Sequence, residues 1–361
     1  MKGTSYSGVI SNSVIFYSQF ILLLFGLNLG ISKHHFYHDK INIEKISQTS
    51  LFSVILALII LLILILNHVS TIPIFSFFFN ENPAINRAIV GKELNGVYSI
   101  LHTFTLTISW FIIYISAALK LAKKSWVLYL LIGIFGLSWF GHKSSIILAL
   151  LGFYFYTIKN KSITFSSIFK VLTIIFFLLI ILIIIYYNSI PDKSNLPSEF
   201  LNRLFIGQLH GFYQEFEYFE SDVQYWKSWI PLSSFIFDEQ ISYAKDLMEY
   251  TEGITETNQL KNTFIGAETY HVLGLLGSLI IMPFVGYFIS KLSFIIVNIS
   301  SKFLGKFFST PLLWTFLSSL TITNGIYTYS SFRFVYIFIA SLIPVIVIKF
   351  IIDLIKDNCH G

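Results

Sequence analysis

Nine apolar stretches, each bounded by polar or charged residues, divide the chain: residues 9–30, 49–67, 95–118, 126–140, 144–158, 166–187, 263–290, 308–327 and 334–352. Within them the apolar positions run on without alternation, which predicts helices and excludes the period-2 strands of a closed β-barrel. Several approach the roughly 20 residues that a helix needs to cross a bilayer. The fourth and fifth are short, and together they predict a tight hairpin around "GHKSS" (141–145). No internal repeat and no low-complexity linker is visible. The pattern therefore predicts an all-α polytopic membrane protein with about nine transmembrane helices (range 9–11). It forms one domain over 1–361 with one large, partly helical loop at 188–262.

Composition agrees, since only 12 % of residues are charged, about half the usual share of a soluble domain. No short apolar segment with a small-residue cleavage site appears, so no removable signal peptide is expected. The formal charge of +5 arises from lysines at one face and does not point to nucleic acid. Cys359 is the single cysteine, which excludes an intramolecular disulfide and a cysteine metal cluster.

The loops orient the spans. Lysines gather at 33–45, at "KLAKK" (120–124), at 159–170, at 291–306 and in the C-terminal tail. Nine spans put all of these on one face, which the positive-inside rule makes cytoplasmic. The N-terminus and the 68–94, "GHKSS", 188–262 and 328–333 segments then fall outside. All three arginines, Arg87, Arg203 and Arg333, lie on that outer face. Lysine suffices as a topological charge, whereas arginine's planar fork suits carboxylate or phosphate.

The 188–262 loop carries twelve of the nineteen acids against five basic residues, and it is rich in tyrosine and tryptophan. Acidic, amide and aromatic side chains are what a carbohydrate site uses, since sugars offer hydroxyls to bond and C–H faces to stack. Gln208, Gln214, Glu217, Tyr218, Trp226 and Asn262 are the candidate sugar contacts. Read as a helix, "FLNRLFIGQLHGFYQEFEYF" (200–219) aligns Arg203, His210, Gln214 and Glu217 in one polar stripe. Phe205, Phe212, Phe216 and Phe219 fall mostly off it, at the expected membrane interface. Lys143 stands in a turn at membrane depth, where a cation is costly and often functional. Glu268 and His271, three residues apart in the seventh stretch, share a helical face. An acid and an imidazole in such a setting are candidates for a general base, with His210 as competitor.

The "G-H-K-S-S" turn, the acidic-aromatic loop after "R-L-F-I-G-Q" and the segment "N-T-F-I-G-A-E-T-Y-H-V-L-G-L-L-G" resemble the bacterial O-antigen polymerases, integral inner-membrane glycosyltransferases. The resemblance runs from about the third stretch to the eighth. It implies that oligosaccharide repeat units on undecaprenyl diphosphate are polymerised at the periplasmic face, with a chain-length regulator membrane protein as partner. Lys143 matches the basic residue of the small-turn motif, and Arg203 the arginine that opens the main periplasmic loop. In the related O-antigen ligases a histidine and asparagine precede the "G-x-x-G" span; here Lys261 and Asn262 stand there, and the histidine is missing. Arg203 and Lys143, with Arg87 and Arg333, would neutralise the departing diphosphate. No D-x-D motif and no oxygen-ligand cluster is seen, so no metal or other cofactor is expected. Three alternatives remain in view. One is an O-antigen ligase acting on lipid A core. Another is a polyprenyl-phosphate-sugar-dependent transferase using Glu81 or Glu93. The third is a lipid-linked oligosaccharide flippase.

Overall fold

The computed structural model describes residues 6–31, 89–90, 98–121, 126–139, 144–157, 173, 216, 225–230, 236–237, 246, 265–304, 306–319 and 333–358. Its elements are α1 (Tyr6–Ile31), α2 (Tyr98–Leu121), α3 (Val127–Ser138), α4 (Ser144–Thr157), a 3-10 turn (Tyr225–Trp229), α5 (Ile265–Phe303), α6 (Lys306–Ser319) and α7 (Arg333–Asn358). Among the described residues there is no strand. Helices lie in seven of the nine apolar stretches. The stretch 49–67, all of 166–187 except Thr173, and most of the 188–262 loop fall outside the described residues.

Three helices are long and apolar enough to cross a membrane, over Asn12–Gly30, Ile100–Lys120 and Ile265–Phe303. By contrast α3 has 12 residues and α4 has 14. At 1.5 Å per residue they rise only about 18 and 21 Å, short of the roughly 30 Å of a hydrocarbon core.

The helices belong to two compact units, one of which takes α7 from Ile337 and the end of α5 from Val297, while the other takes Ile265–Ile296 of α5. In one, α2 packs against α3, α4 and α6, with Trp110 and Phe111 fully buried at its centre. Close approach depends on glycine. A methyl on Gly136 would overlap the Ser109 side chain, and one on Gly152 would enter the six-membered ring of Trp110. The Trp110 indole N–H donates to Ser318 Oγ at 2.8 Å, and its ring tilts 31° on Trp314 with centroids 5.0 Å apart. The hydroxyls of Thr105, Thr107 and Ser109 donate to the carbonyls four residues back. These three hydroxyls are thus satisfied within the helix that carries them.

Two lysines of this unit sit at helix ends, where the negative end of the macrodipole favours cations. Lys120 Nζ lies 4.9 Å from the Trp126 ring and 5.0 Å from that of Phe153, a cation–π bracket. Lys349 Nζ donates to the carbonyl of Phe303, the last residue of α5, at 3.2 Å.

In the other unit α1 lies along α5. A methyl on Gly26 would overlap the Pro283 carbonyl, one on Gly286 the Leu23 carbonyl, and one on Gly30 the Ser290 side chain. Contacts advance together along both helices, so the two run parallel. Small residues let two backbones approach where lipid gives no hydrophobic drive between helices.

Candidate functional site

Helix α5 is two arms. Gly274 has φ 71° and ψ −178°, a region open essentially to glycine alone. The short arm, Ile265–Leu273, rises about 13 Å. The long arm from Leu275 to Phe303 rises about 43 Å and alone has the length to cross a bilayer. The expected single span 263–290 is therefore interrupted. Glu268 and His271 stand on the short arm.

Two observations show that the chain reverses at Gly274 instead of merely bending. Gln19 Nε2 donates to Gly266 O at 3.0 Å and to Ser278 Oγ at 2.9 Å. The two acceptors are therefore no more than about 6 Å apart, whereas an unbroken helix would separate these positions by about 18 Å. A methyl on Gly277 would also lie 2.6 Å from Leu273 Cβ, against about 5–6 Å between side chains four apart on a regular helix. The short arm folds back.

This reversal seats a carboxyl group in the interior. Glu268 is 1 % exposed, and its Oε1 accepts the indole N–H of Trp229 at 2.6 Å. The next residue, Thr269, is fully buried and donates its hydroxyl to Gly266 O at 2.8 Å. A buried carboxylate is costly unless it is hydrogen-bonded, and the indole, a donor with no acceptor function, meets that need with fixed geometry. The 3-10 turn that carries Trp229 is held from its first residue, where Tyr225 Oη donates to Asp246 Oδ2 at 3.1 Å. One residue on, Trp226 is exposed and meets Phe237 edge-on, centroids 6.2 Å apart. Lys227 Nζ lies 5.1 Å over the same Phe237 ring.

The long acidic segment also reaches the short arm through Phe216. Its ring meets Tyr270 edge-on at 5.3 Å, within a buried cluster of Phe16, Ile265, Ala267 and Met282. Phe216 was expected at the membrane interface, but it is packed into this interior. The fold-back explains this, because the short arm presents an apolar flank that needs cover. Beyond Tyr270, His271 is half-buried, its ring edge-on to that of Tyr270 at 5.3 Å.

Glu268, His271 and Trp226 are thus described with their surroundings. Arg333 begins α7, and nothing of its side chain is described. Lys143, Arg87, Arg203, Gln208, His210, Gln214, Glu217, Tyr218 and Asn262 lie outside the described residues. Sequence reasoning did not single out Trp229, Gln19 or Gly274. Gln19 carried a readable signal, an amide in the middle of an apolar stretch, followed by the G-x-x-x-G spacing of Gly26 and Gly30. Trp229 carried none beyond belonging to an aromatic-rich loop.

No family model matches the chain, and neither the curated proteins nor the solved structures contain a match to it.

Proposed function

We propose that this chain is a glycosyltransferase of the bacterial inner membrane. In this reading it polymerises undecaprenyl-diphosphate-linked oligosaccharide units at the periplasmic face, with Glu268 as general base. The observation that carries the reading is the buried Glu268 carboxylate, oriented by an indole from the acidic, aromatic segment. A base must be held at a set angle to a sugar hydroxyl, in reach of the outer aqueous phase but shielded from it. A shielded carboxylate on a folded-back arm, held at a fixed angle by an indole of the acidic, aromatic segment, supports this reading.

In the reaction, the hydroxyl at the non-reducing end of a lipid-linked acceptor gives its proton to Glu268. Its oxygen attacks the anomeric carbon of the growing chain, and the bond to the lipid diphosphate breaks with inversion. Arg203 and Lys143, with Arg87 and Arg333, neutralise the charge on the leaving diphosphate. His271 supports the acid from the same arm. Trp226, exposed at the edge of the 3-10 turn, offers an indole face to a sugar ring.

One feature favours a second reading. Helices broken within an apolar stretch are common in secondary transporters, so the interrupted α5 would also suit a flippase for the same lipid-linked oligosaccharide. One experiment separates the two. The purified chain, in vesicles of bacterial lipid, is given single lipid-linked units, and the products are resolved by length. A ladder supports the polymerase, whereas movement of units across the bilayer without a ladder supports the flippase. For the polymerase, Glu268→Gln should cut the rate roughly 100- to 10,000-fold, the usual loss for a general base, with donor binding retained. His271→Ala should lose less. A normal ladder from Glu268→Gln together with an inactive His210→Ala would move the base into the loop.

A further inference from the structure

Gln19 stands at the middle of the apolar α1, fully buried. Both hydrogens of its amide are used, one on Gly266 O before the reversal and one on Ser278 Oγ after it. Gly266 O is an acceptor only, so the nitrogen, not the oxygen, must face it. The two acceptors are tied into the arms themselves. Gly266 O also receives the Thr269 hydroxyl, and the Ser278 hydroxyl donates onward to Leu275 O. The carboxamide oxygen of Gln19 has no hydrogen-bond partner among the described residues. That unmet acceptor is a cost in a dry interior, and a residue selected for packing alone would not carry it.

We infer that Gln19 is a positioning residue: its amide clamps the two arms of α5 across Gly274 and thereby sets Glu268 against Trp229. Within α5 the described links across Gly274 are apolar: Gly277 lies against Leu273, and Met282 shares a buried cluster with Ile265 and Ala267. A methyl on Gly274 would meet no atom within 4 Å, so the bend itself is open to solvent or lipid and is not packed shut. The remaining links between the arms run through side chains of α1 and of the loop. Phe16, one turn before Gln19, lies in the cluster with Ile265 and Ala267 of the short arm and Met282 of the long arm. From Ser278 onward the glycine contacts at Gly26, Gly286 and Gly30 fix the long arm to α1. The long arm is thus anchored to α1 from Ser278 to Ser290, whereas α1 holds the short arm through Gln19 and the Phe16 cluster. Losing the clamp frees the short arm selectively.

The role of Glu268 rests on the function proposed above, but the clamp itself does not. The test therefore reads geometry and activity separately, in full-length protein with Cys359→Ser. Ala267→Cys, buried on the short arm, reports its opening through the rate of labelling by N-ethylmaleimide. Ala149→Cys, buried on α4, is the control. Gln19→Met keeps the volume and removes both donors. Labelling at 267 should then rise roughly tenfold or more, the scale of losing two buried hydrogen bonds, with labelling at 149 unchanged. The Trp229 contribution to the ultraviolet resonance Raman spectrum, taken as the difference from Trp229→Phe, should shift towards a weaker indole N–H hydrogen bond. Ser278→Ala, which keeps Gln19 and removes one acceptor, should give a smaller rise at 267. It also serves if Gln19→Met fails to fold. Unchanged labelling at 267 and an unchanged indole signature in either variant would overturn the clamp, as would an equal rise at 149. In the polymerisation assay Gln19→Met should lower kcat more than it changes KM. A protein that makes no ladder under any condition fails the functional reading alone, because labelling still decides the clamp.

Discussion

Trp229 donates its indole N–H to the buried carboxylate of Glu268 across 2.6 Å, joining two elements 39 residues apart in sequence. The bond gives Trp229 a role distinct from the aromatic content of its loop. Trp229→Phe keeps most of the ring and removes only the donor, leaving a buried acid with one partner fewer. Hydrogen bonds to charged groups contribute about 1.5–3 kcal/mol, so a loss of that order is expected in the denaturation midpoint of the detergent-solubilised protein. Glu268→Gln retains an acceptor oxygen for the indole and should be nearer to neutral in stability. Equal destabilisation by both would mean that the bond contributes little.

Gly274 makes the reversal. Its φ of 71° with ψ of −178° is a backbone state that side-chain-bearing residues avoid at a cost of about 1–3 kcal/mol. Space is not the obstacle, since an added methyl meets nothing within 4 Å. Gly274→Ala should therefore fold, at lower stability by about that amount, and should expose the Ala267 position much as loss of Gln19 does. A Gly274→Ala protein as stable as wild type would show that the backbone there adopts another conformation.

The seam between α1 and α5 tests the parallel packing. Gly286 sits where a side chain would meet the Leu23 carbonyl and the Leu27 nitrogen, both backbone atoms that cannot swing aside. Overpacking of this kind costs about 1–3 kcal/mol, sometimes more. Gly286→Leu should exceed Gly277→Leu in its effect, because a methyl at Gly286 would overlap a backbone carbonyl of a second helix, whereas one at Gly277 would meet the Leu273 Cβ of its own helix at 2.6 Å. Measured thermal stabilities in the reverse order would put the crossing elsewhere.

These positions show what could be read from the chain beforehand. Continuous apolar stretches predicted helices, and helices occupy the stretches where residues are described. The buried Glu268 was legible because an acid in apolar surroundings is rare and therefore visible. The reversal was not. Gly274 belongs to a run with Gly266 and Gly277 in which any glycine fits a helix of small cost, and only the φ angle separates the hinge from its neighbours. Phe216 was misread for a related reason. A phenylalanine beside a membrane surface and one beneath a folded arm look alike in sequence, and the arm that covers it depends on a contact 54 residues further along. Trp229 pairs with Glu268 through tertiary structure alone, which no local pattern encodes.

The last prediction concerns the charge on the leaving group. Arg203 opens the stretch that leads to Phe216, and Phe216 packs against Tyr270 two residues after Glu268. Phe216, thirteen residues after Arg203 in sequence, is thus packed against the arm that carries the proposed base. A diphosphate leaves as an anion, and a guanidinium can meet two of its oxygens at once, whereas an ammonium offers a single point charge. Arg203→Ala should abolish the ladder with protein levels intact, and Arg203→Lys should restore only part of it. Lys143→Ala should also abolish it, and Lys143→Arg should retain activity because a fork can replace a point charge. If these residues act on the diphosphate, the losses appear in turnover of lipid-linked units and leave the Trp229 signature and the labelling at position 267 as in wild type. Wild-type chain lengths from Arg203→Ala would remove the diphosphate role. A changed indole signature in that variant would instead make Arg203 a structural support for the arm.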